Sequence, residues 1–320
     1  MDKKYVIGID LGGTNTVFGI VDANGNIIAQ NSIKTQKHKD NVNLYIDELC
    51  NELTALIDQT GGKNAIKGIG IGAPNSNYYT GNIEFAPNLP WQHVLPLSKM
   101  ITEKIHLPCK ITNDANAAAI GEMTYGIAKG MKNFILITLG TGVGSGIVIN
   151  GKVVYGHDGF AGELGHTIAI HGGRPCPCGR CGCLETYTSA TGVVRTAIEF
   201  LSKSKEDSLL RAIPSNRLES KDVYDAAVKG DKIALDIFNY TGTILGQSIA
   251  NFVAFSAPEA VILFGGLTKA GEFLLKPTRI AMEKDMLRLW SNKIKLLVSS
   301  LKESNAAVLG ASALGWECEE

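Results

Sequence analysis

Near its start the chain reads Tyr5-Val-Ile-Gly-Ile-Asp10, followed directly by Leu11-Gly-Gly-Thr-Asn15. The apolar run predicts a buried strand, and Thr16 to Val21 predicts a second strand returning beside it. The same layout recurs at Asn133 to Leu139, an apolar run followed by Gly140-Thr-Gly-Val-Gly-Ser-Gly146. Because a strand, a Gly/Thr loop and another strand occur twice, we predict two related domains, each presenting one glycine loop to a nucleotide.

Each glycine loop predicts a contact with phosphate. Gly12 and Gly13 allow backbone N–H groups to approach an anion closely. The first loop differs from a Walker loop because no Gly-Lys-Ser/Thr follows and no helix opens after it. Asp10, at the end of the strand, is suited to orient a magnesium ion through its water shell. A simple tight hairpin is the alternative interpretation of this loop taken alone.

The remainder of the chain alternates strands with amphipathic helices, which indicates α/β layers with mostly buried sheets. We predict helices over 42–57, 97–105, 115–123, 186–201, 221–229, 231–255, 272–289 and 305–316. We predict further strands over 67–72, 108–112, 259–264 and 294–298. The polar, serine-rich segment 202–220 is expected to be a surface excursion.

Polar residues follow two of the predicted strands. The long loop from Ala73 to Trp91 contains Asn88, whose amide offers both a donor and an acceptor to a hydroxyl-bearing ligand. Asn113 and Asp114 come directly after the strand at 108–112, where open α/β sheets place their chemistry. Asp114 is therefore a candidate general base. The alternatives are that Asn88 only forms a turn and that Asn113 or Asp114 only caps the next helix.

A cysteine-rich loop follows the second hairpin. It reads Gly162-Glu-Leu-Gly-His166, then Cys176-Pro-Cys-Gly-Arg-Cys-Gly-Cys183, then Leu184-Glu185. Four thiols beside an imidazole are typical of tetrahedral zinc, and two disulfides within eight residues would be strained. We predict a structural zinc site with four ligands: His166, Cys176, Cys178 and Cys183. Cys181 is the spare thiol, which the sequence alone does not firmly exclude.

Two carboxylates, Glu163 and Glu185, flank this loop and are not needed to balance a metal that already binds three thiolates. We therefore expect both to face a polar ligand. Cys50, Cys109 and Cys318 are scattered through apolar or terminal segments. This distribution favours metal binding in a reducing compartment.

The composition of the chain bears on its binding partners and on the compartment in which it works. Lys+Arg and Asp+Glu both number 31, so charge does not point to a nucleic-acid or membrane partner. The chain lacks a signal-peptide layout, and no apolar run approaches the ~20 residues that span a bilayer. With 45% hydrophobic residues in 320, we expect a two-domain cytoplasmic protein.

With these motifs in place, the sequence resembles the ROK family of sugar kinases and repressors, within the sugar-kinase, heat-shock-protein and actin superfamily. The resemblance spans nearly the whole chain. It is carried by the motifs at 10–15, 113–116, 139–144, 163–166 and 176–185. The last two motifs together are highly specific, whereas a glycine loop alone would not be.

The resemblance implies two ribonuclease H-like (actin-like ATPase) domains around an interdomain cleft. We expect a small N-terminal domain formed by residues 1–114 with 305–320. Residues 115–304 then form a large domain carrying the zinc loop at about 162–185. In the family the zinc ligands occupy the positions of His166, Cys176, Cys178 and Cys183, while Cys181 falls at a variable position.

The resemblance also implies which residues bind the substrates, with Asp114 as catalytic base. The hexose-binding positions correspond to Asn88, Asn113, Asp114, Glu163, His166 and Glu185. The positions that hold ATP, with Mg²⁺, correspond to Asp10, Gly12, Gly13, Thr14, Asn15, Gly140, Thr141, Gly142, Gly265 and Gly266. His166 would serve twice, with one nitrogen on zinc and the other edge of the ring near the sugar.

The resulting hypothesis is an ATP-dependent glucokinase that phosphorylates the 6-hydroxyl of glucose. A kinase for N-acetylmannosamine or N-acetylglucosamine is the nearest alternative, and a non-catalytic sugar-sensing regulator is a further one. The family's repressor branch carries a helix-turn-helix ahead of the first glycine loop, and the early first strand here favours the kinase branch. Family members are often dimers or tetramers, so we expect a homo-oligomer.

Overall fold

The computed structural model describes residues 3–301 and 303–319, and the chain divides into two compact units. Unit 1 comprises the described residues of Met1–Met131, Gly146–Gly162 and Ser300–Glu320. Unit 2 comprises Lys132–Ser145 and Glu163–Ser299. Each unit contains a β-sheet and its own hydrophobic core. The predicted α/β class is therefore confirmed.

The sheet of unit 1 has the order β3–β2–β1–β4–β5. Its strands are β1 (Tyr5–Leu11), β2 (Asn15–Asp22), β3 (Ile27–Lys34), β4 (Ile66–Gly72) and β5 (Cys109–Thr112). The first three strands form an antiparallel meander, whereas β4 and β5 run parallel to β1. The carboxyl ends of β1, β4 and β5 consequently meet at one edge of the sheet.

The helices of unit 1 agree closely with the sequence-based predictions. They are α1 (Val42–Gln59), α2 (Leu97–Ile105), α3 (Asp114–Tyr125) and α9 (Glu303–Gly315). α1 begins where predicted because the Asn41 side chain caps it, accepting hydrogen bonds from the backbone N–H groups of Asn43 and Leu44. Its apolar stripe, which includes Tyr45, Leu49 and Leu53, is fully buried.

The boundary of unit 1 differs from the predicted one, which ended at residue 114 and resumed at 305. α3 belongs to unit 1 because it packs against α9. The two helices approach closely at a pair of glycines: a Cβ added to Gly121 would lie 2.7 Å from the Cα atom of Gly310. The sequence-based boundary was drawn at the end of a strand and did not anticipate this contact between small residues.

Unit 2 is built on the parallel strands β6 (Phe134–Leu139), β9 (Ala260–Phe264) and β10 (Lys295–Val298). The full sheet has the order β10–β9–β6–β7–β8, where β7 is Val143–Ile149 and β8 is Lys152–Val153. The division between the units falls within β7. β6 and β9 are almost entirely buried, as expected for parallel strands covered on both faces.

The helices of unit 2 are α4 (Glu185–Thr188), α5 (Ala190–Lys203), α6 (Ser220–Val228), α7 (Lys232–Ser256) and α8 (Glu272–Asp285). The single helix predicted over 186–201 is wrong, because Ser189 is extended and separates α4 from α5. The Ser189 hydroxyl accepts a hydrogen bond from the Gly192 N–H and so caps α5. α8 ends earlier than predicted, since Met286 is already extended.

The segment between α5 and α6, predicted as a surface excursion, is polar but anchored. A short 3₁₀ helix at Leu209–Ala212 buries Leu210 completely. The Asp231 carboxylate accepts hydrogen bonds from the Ser208 hydroxyl and the Leu209 N–H. Across the described residues, no helix is both long and apolar enough to cross a bilayer.

Candidate active site

In unit 1, two carboxylates lie at the edge formed by the carboxyl ends of the parallel strands. Asp10 of β1 pairs with Gly72 of β4, and Gly72 pairs in turn with Thr112 of β5. Asp114 follows two residues later, and a Cβ added to Gly72 would lie 3.8 Å from its Cα atom. Asp10 and Asp114 therefore flank Gly72, as the position of active sites in open α/β sheets predicts.

The electrostatics of this edge keep both carboxyl groups protonated to higher pH than usual. Burial, and secondarily the negative charge of Asp114, raises the pKa of Asp10 to about 6. The Asp114 side chain is accessible to solvent, but the surrounding protein disfavours its charged form and raises its pKa. Carboxyl groups tuned in this way are typical of acid–base and metal sites.

Asn113 and Asp114 begin α3 and have distinct local roles. The Asn113 side-chain oxygen accepts a hydrogen bond of 2.7 Å from the Asn116 N–H, so Asn113 is the helix N-cap. This capping role does not exclude a ligand contact, because the amide also has an NH₂ group and a second lone pair on its oxygen. One oxygen of Asp114 accepts a hydrogen bond from the Ala115 N–H at 2.8 Å.

The first glycine loop, Gly12 to Thr14, connects β1 and β2 at the same edge. A Cβ added to Gly13 would lie 2.4 Å from the backbone oxygen of Asn88, so the loop and Asn88 are in close contact. The hydroxyl of Thr35 donates to the Gly12 oxygen at 2.7 Å and fixes the loop from the other side. Asn15 begins β2 and accepts a hydrogen bond from the Lys34 ammonium group. Unit 1 thereby places Asp10, Asp114 and the first glycine loop at one sheet edge, with the Asn88 backbone against the loop.

In unit 2, the second glycine loop, Gly140 to Gly142, connects β6 and β7. Its carbonyl groups are held by the start of α5: the Ala190 N–H donates to the Gly140 oxygen at 2.8 Å, and the Thr191 hydroxyl donates to the Thr141 oxygen at 2.9 Å. A Cβ added to Gly140 would meet nothing within 4 Å, which leaves space beside the loop.

A cavity of about 520 Å³ adjoins this second loop. Its lining includes Leu139, Gly140, Thr141, Ser220, Lys221, Tyr224, Asp225, Phe238, Gly266, Leu267, Lys269 and Ala270. Gly265 directly precedes the lining residue Gly266 and has a φ of +106°. A Cβ at position 265 would lie 2.7 Å from the Leu139 backbone oxygen, so only glycine fits there. The lining is mostly apolar with a few polar side chains, and the volume suits a nucleoside.

Most residues that line this cavity were not singled out from the sequence. Of those on α6, Ser220 was assigned to the polar segment 202–220 and the others only to a helix, because their spacing carries no motif. Leu267 to Ala270 directly follow Gly265 and Gly266, so their proximity in sequence was the one available signal.

The cysteine loop (162–185) gathers one imidazole and three thiols. The ligand atoms of His166, Cys176, Cys178 and Cys183 all lie within 4.8 Å of one another. His166 Nδ1 is 3.7 Å from Cys176 Sγ, and Cys178 Sγ is 3.6 Å from Cys183 Sγ. Sulfur atoms on a tetrahedral zinc ion with Zn–S bonds of about 2.3 Å are roughly 3.8 Å apart, so the donor set fits that ion.

Glu163, His166 and Glu185 lie around the same loop. Glu163 is exposed and begins the turn that contains the half-buried His166. Glu185 is half-buried: one carboxylate oxygen accepts a hydrogen bond from the Val143 N–H at 2.9 Å, and the other is 3.9 Å from Cys176 Sγ. Glu185 therefore connects the cysteine loop to β7, a contact that the sequence analysis did not anticipate.

Comparison with known proteins finds relatives that are similar to this chain along nearly its whole length. The glucokinase of Halalkalibacterium halodurans is 38% identical over 99% of this chain and 95% of its own length. The ROK family glucokinase of Streptomyces griseus, solved with glucose and AMPPNP, is 32% identical, with a TM-score of 0.79 over 98% of this chain and 100% of that one. The xylose repressor of Caldicellulosiruptor bescii is 30% identical over 98% of this chain and 78% of its own length.

The ROK family model matches residues 6–317, nearly the full chain. This match confirms the resemblance inferred from the glycine loops and the cysteine loop. The chain belongs to the ROK family.

Proposed function

We propose that this protein is an ATP-dependent hexokinase that transfers the γ-phosphoryl group of ATP to the 6-hydroxyl group of glucose. The observation that carries the proposal is the pair Asp10 and Asp114 at the carboxyl edge of the first sheet, beside a glycine loop. Relatives named glucokinase, up to 38% identical along nearly the whole chain, supply the substrate class.

The chemistry requires positioning and one proton acceptor. The sugar hydroxyl oxygen forms a bond to the γ-phosphorus, and the bond from that phosphorus to the β–γ bridging oxygen breaks, which releases ADP. We assign to the Asp114 carboxylate the role of accepting the proton that the sugar hydroxyl loses. Because the surroundings raise its pKa, Asp114 is a stronger base than an ordinary surface carboxylate.

We assign the two glycine loops to the phosphates of ATP. The cavity beside Gly140 and Gly266 suits the nucleoside, because its walls are apolar and its volume is about 520 Å³. Asp10 would orient Mg²⁺ through its water shell, since hydrated hard cations bind carboxylate oxygens well. Bound Mg²⁺ supplies charge neutralisation on the phosphates.

We assign the sugar hydroxyl groups to Asn88, Asn113, Asp114, Glu163, His166 and Glu185. Carboxylates and amides discriminate sugars because a missing hydroxyl group leaves buried polar groups unpaired. We expect water to be excluded from the transferred phosphoryl group, because this limits hydrolysis of ATP in the absence of a sugar.

We further propose that the cysteine loop holds a structural zinc ion through His166, Cys176, Cys178 and Cys183. The ion would fix a segment rich in glycine and proline. None of the seven cysteines, all within the described residues, forms a disulfide, which suits the cytoplasm proposed for an ATP-consuming enzyme. A homo-oligomer remains part of the proposal by analogy with the family.

A coupled ADP-release assay tests the function. The panel comprises glucose, mannose, fructose, N-acetylglucosamine and N-acetylmannosamine, each with MgATP and with a no-sugar control. We expect glucose to give the highest kcat/KM. A preference for either N-acetylhexosamine would replace glucose as the substrate, and absence of turnover with every sugar would contradict the kinase assignment.

A sugar-binding regulator is the second candidate, because a xylose repressor is among the relatives at 30% identity. Calorimetric titration with glucose and with xylose separates the two candidates when combined with the kinase assay. A regulator would bind a sugar without consuming ATP, whereas the proposed kinase would release one ADP for each sugar phosphorylated.

A further inference from the structure

Arg174, in the cysteine loop, is a buried arginine whose three guanidinium nitrogens all donate hydrogen bonds. It is only 7% exposed. Its Nε and Nη2 atoms donate to the two carboxylate oxygens of Glu199, both at 2.8 Å. Nη1 donates to the backbone oxygen of Thr186 at 2.7 Å, and the guanidinium group lies 4.5 Å from the ring centre of Tyr187.

These contacts join three segments of unit 2. Thr186 and Tyr187 lie in α4, and Glu199 lies in α5. The backbone of Arg174 itself belongs to the cysteine loop, where its oxygen accepts a hydrogen bond from the Gly182 N–H at 2.7 Å. Nη1 also reaches the Gly192 oxygen in α5 at 3.2 Å. One guanidinium nitrogen thus bridges α4 and α5 across the break at Ser189.

The junction that Arg174 holds touches the groups assigned to both substrates. Glu185 starts α4 and bonds to the Val143 N–H, directly after the second glycine loop. Ala190 and Thr191 start α5 and bond to the carbonyl groups of that loop. A shift of the junction would therefore move a residue assigned to the sugar and a loop assigned to the nucleotide together.

The proposed zinc ion does not replace this arrangement. The four candidate ligands lie within the cysteine loop, and none of them belongs to α5. Among side chains, only a planar guanidinium group can form a bidentate hydrogen-bonded pair with a carboxylate and still donate further hydrogen bonds to backbone carbonyl groups. Its burial also makes the contacts consequential, since removing one partner leaves a buried polar group unpaired.

We propose that Arg174 is a positioning residue that couples sugar binding to nucleotide binding through the α4–α5 junction. This inference rests on the proposed function, because it takes Glu185 as a sugar contact and Gly140–Gly142 as a phosphate contact. Binding of either substrate favours one placement of the junction, so each substrate increases the affinity for the other by the same factor.

The test measures the dissociation constant of glucose with and without saturating Mg-AMPPNP by isothermal titration calorimetry. The variants are Arg174→Met, Arg174→Lys and Glu199→Gln, the last of which keeps the arginine and weakens its two-pronged bond. Arg211→Met is the matched control, because Arg211 likewise donates to backbone carbonyl groups, at and just beyond the C-terminal end of α5, but is exposed. Zinc per chain is measured for each protein.

We expect Mg-AMPPNP to tighten glucose binding at least about 5-fold in the wild-type protein and in Arg211→Met. The factor should fall to within about 2-fold of unity in Arg174→Met and to intermediate values in Arg174→Lys and Glu199→Gln. Glu199→Gln keeps the test decisive should Arg174→Met fail to fold. Zinc content should be unchanged in Glu199→Gln.

The inference is overturned if wild type shows no coupling, if Glu199→Gln retains full coupling, or if Glu199→Gln loses zinc together with coupling. The last result would assign the effect to the metal site. Failure of the proposed function looks different, because wild-type protein would then not phosphorylate glucose at all.

Discussion

The carboxyl edge of the first sheet and the cysteine loop hold their polar residues by different means. At the sheet edge, Asp10 and Asp114 are placed by strand pairing and by the start of a helix. In the cysteine loop, the described residues form short turns and isolated bridges, and cohesion comes from a few side chains such as Arg174. Substitutions at the edge should therefore remove chemistry and leave the shape intact, whereas substitutions in the loop should change shape first.

The largest effect is expected for Asp114→Asn. The amide keeps the size of the side chain but is a far weaker base, so kcat should fall about 10³-fold or more, while the glucose dissociation constant changes less than about 3-fold. Asp58→Asn, at an exposed position of α1, is the control and should leave both quantities unchanged. Steady-state kinetics and calorimetry measure the two quantities. A kcat near that of wild type in Asp114→Asn would remove the base assignment.

Cys183→Ser tests the opposite half of the comparison. Cys183 is fully buried within the thiol cluster, so its loss should release zinc, lower the melting temperature and reduce kcat/KM for glucose roughly 30-fold or more. Cys181→Ser is a matched control, because Cys181 is exposed and lies outside the four-residue cluster. Metal analysis and thermal unfolding provide the readouts. Equal zinc loss in the two variants would show that the ligand set is wrong.

The same contrast explains how much of the fold could be predicted from the sequence. Regular elements with a clear apolar period were found nearly to the residue, as for α1 and β6. The break at Ser189 was missed because the prediction treated 186–201 as one segment and did not use Ser189 as a signal, although serine is a preferred N-cap residue. The extent of unit 1 was missed because it depends on the close packing of Gly121 against Gly310, residues far apart in sequence.

The candidate site divides along the same line. Asp10 and Asp114 could be placed by the rule that parallel strands end at one edge, and both residues flank Gly72 there. The cavity beside Gly140 could not be predicted in this way. Part of its lining comes from α6, which begins about 80 residues later in the chain and carries no recognisable motif. Arg174 was also missed, since a single charged residue in a loop is usually solvated. Their roles depend on tertiary contacts that periodicity does not encode.

Asp10→Asn sharpens the electrostatic side of the comparison. The folded-state pKa of about 6 lies above the ordinary value of 3.8, so the charged form destabilises the fold at neutral pH. At pH 8 the variant should be more stable by about 3 kcal/mol, and this gain should disappear as pH falls from 6 to below 4. Urea unfolding at several pH values measures the difference.

The same group should shape the pH dependence of catalysis. If ionised Asp10 serves the nucleotide, kcat/KM for MgATP in wild type should decline as pH falls through about 6. In Asp10→Asn the activity should be low throughout, and this decline should be lost. Equal stability of the two proteins at pH 8 would contradict the argument from burial.

The smallest expected effect separates the two glycine loops. Gly13→Ala places a Cβ 2.4 Å from the Asn88 oxygen, so the first loop must shift, and the free energy of unfolding should fall by about 1–2 kcal/mol. Gly140→Ala meets nothing within 4 Å, so its stability should change by less than about 0.5 kcal/mol, while KM for MgATP rises as the methyl group occupies phosphate space. Urea unfolding and kinetics on both variants measure these effects. The first loop is packed against its own unit, whereas the second opens onto a cavity. A glycine-to-alanine substitution should therefore lower the free energy of unfolding in the first loop and weaken MgATP binding in the second. A rise in KM without loss of stability in Gly13→Ala would show that the first loop is as open as the second.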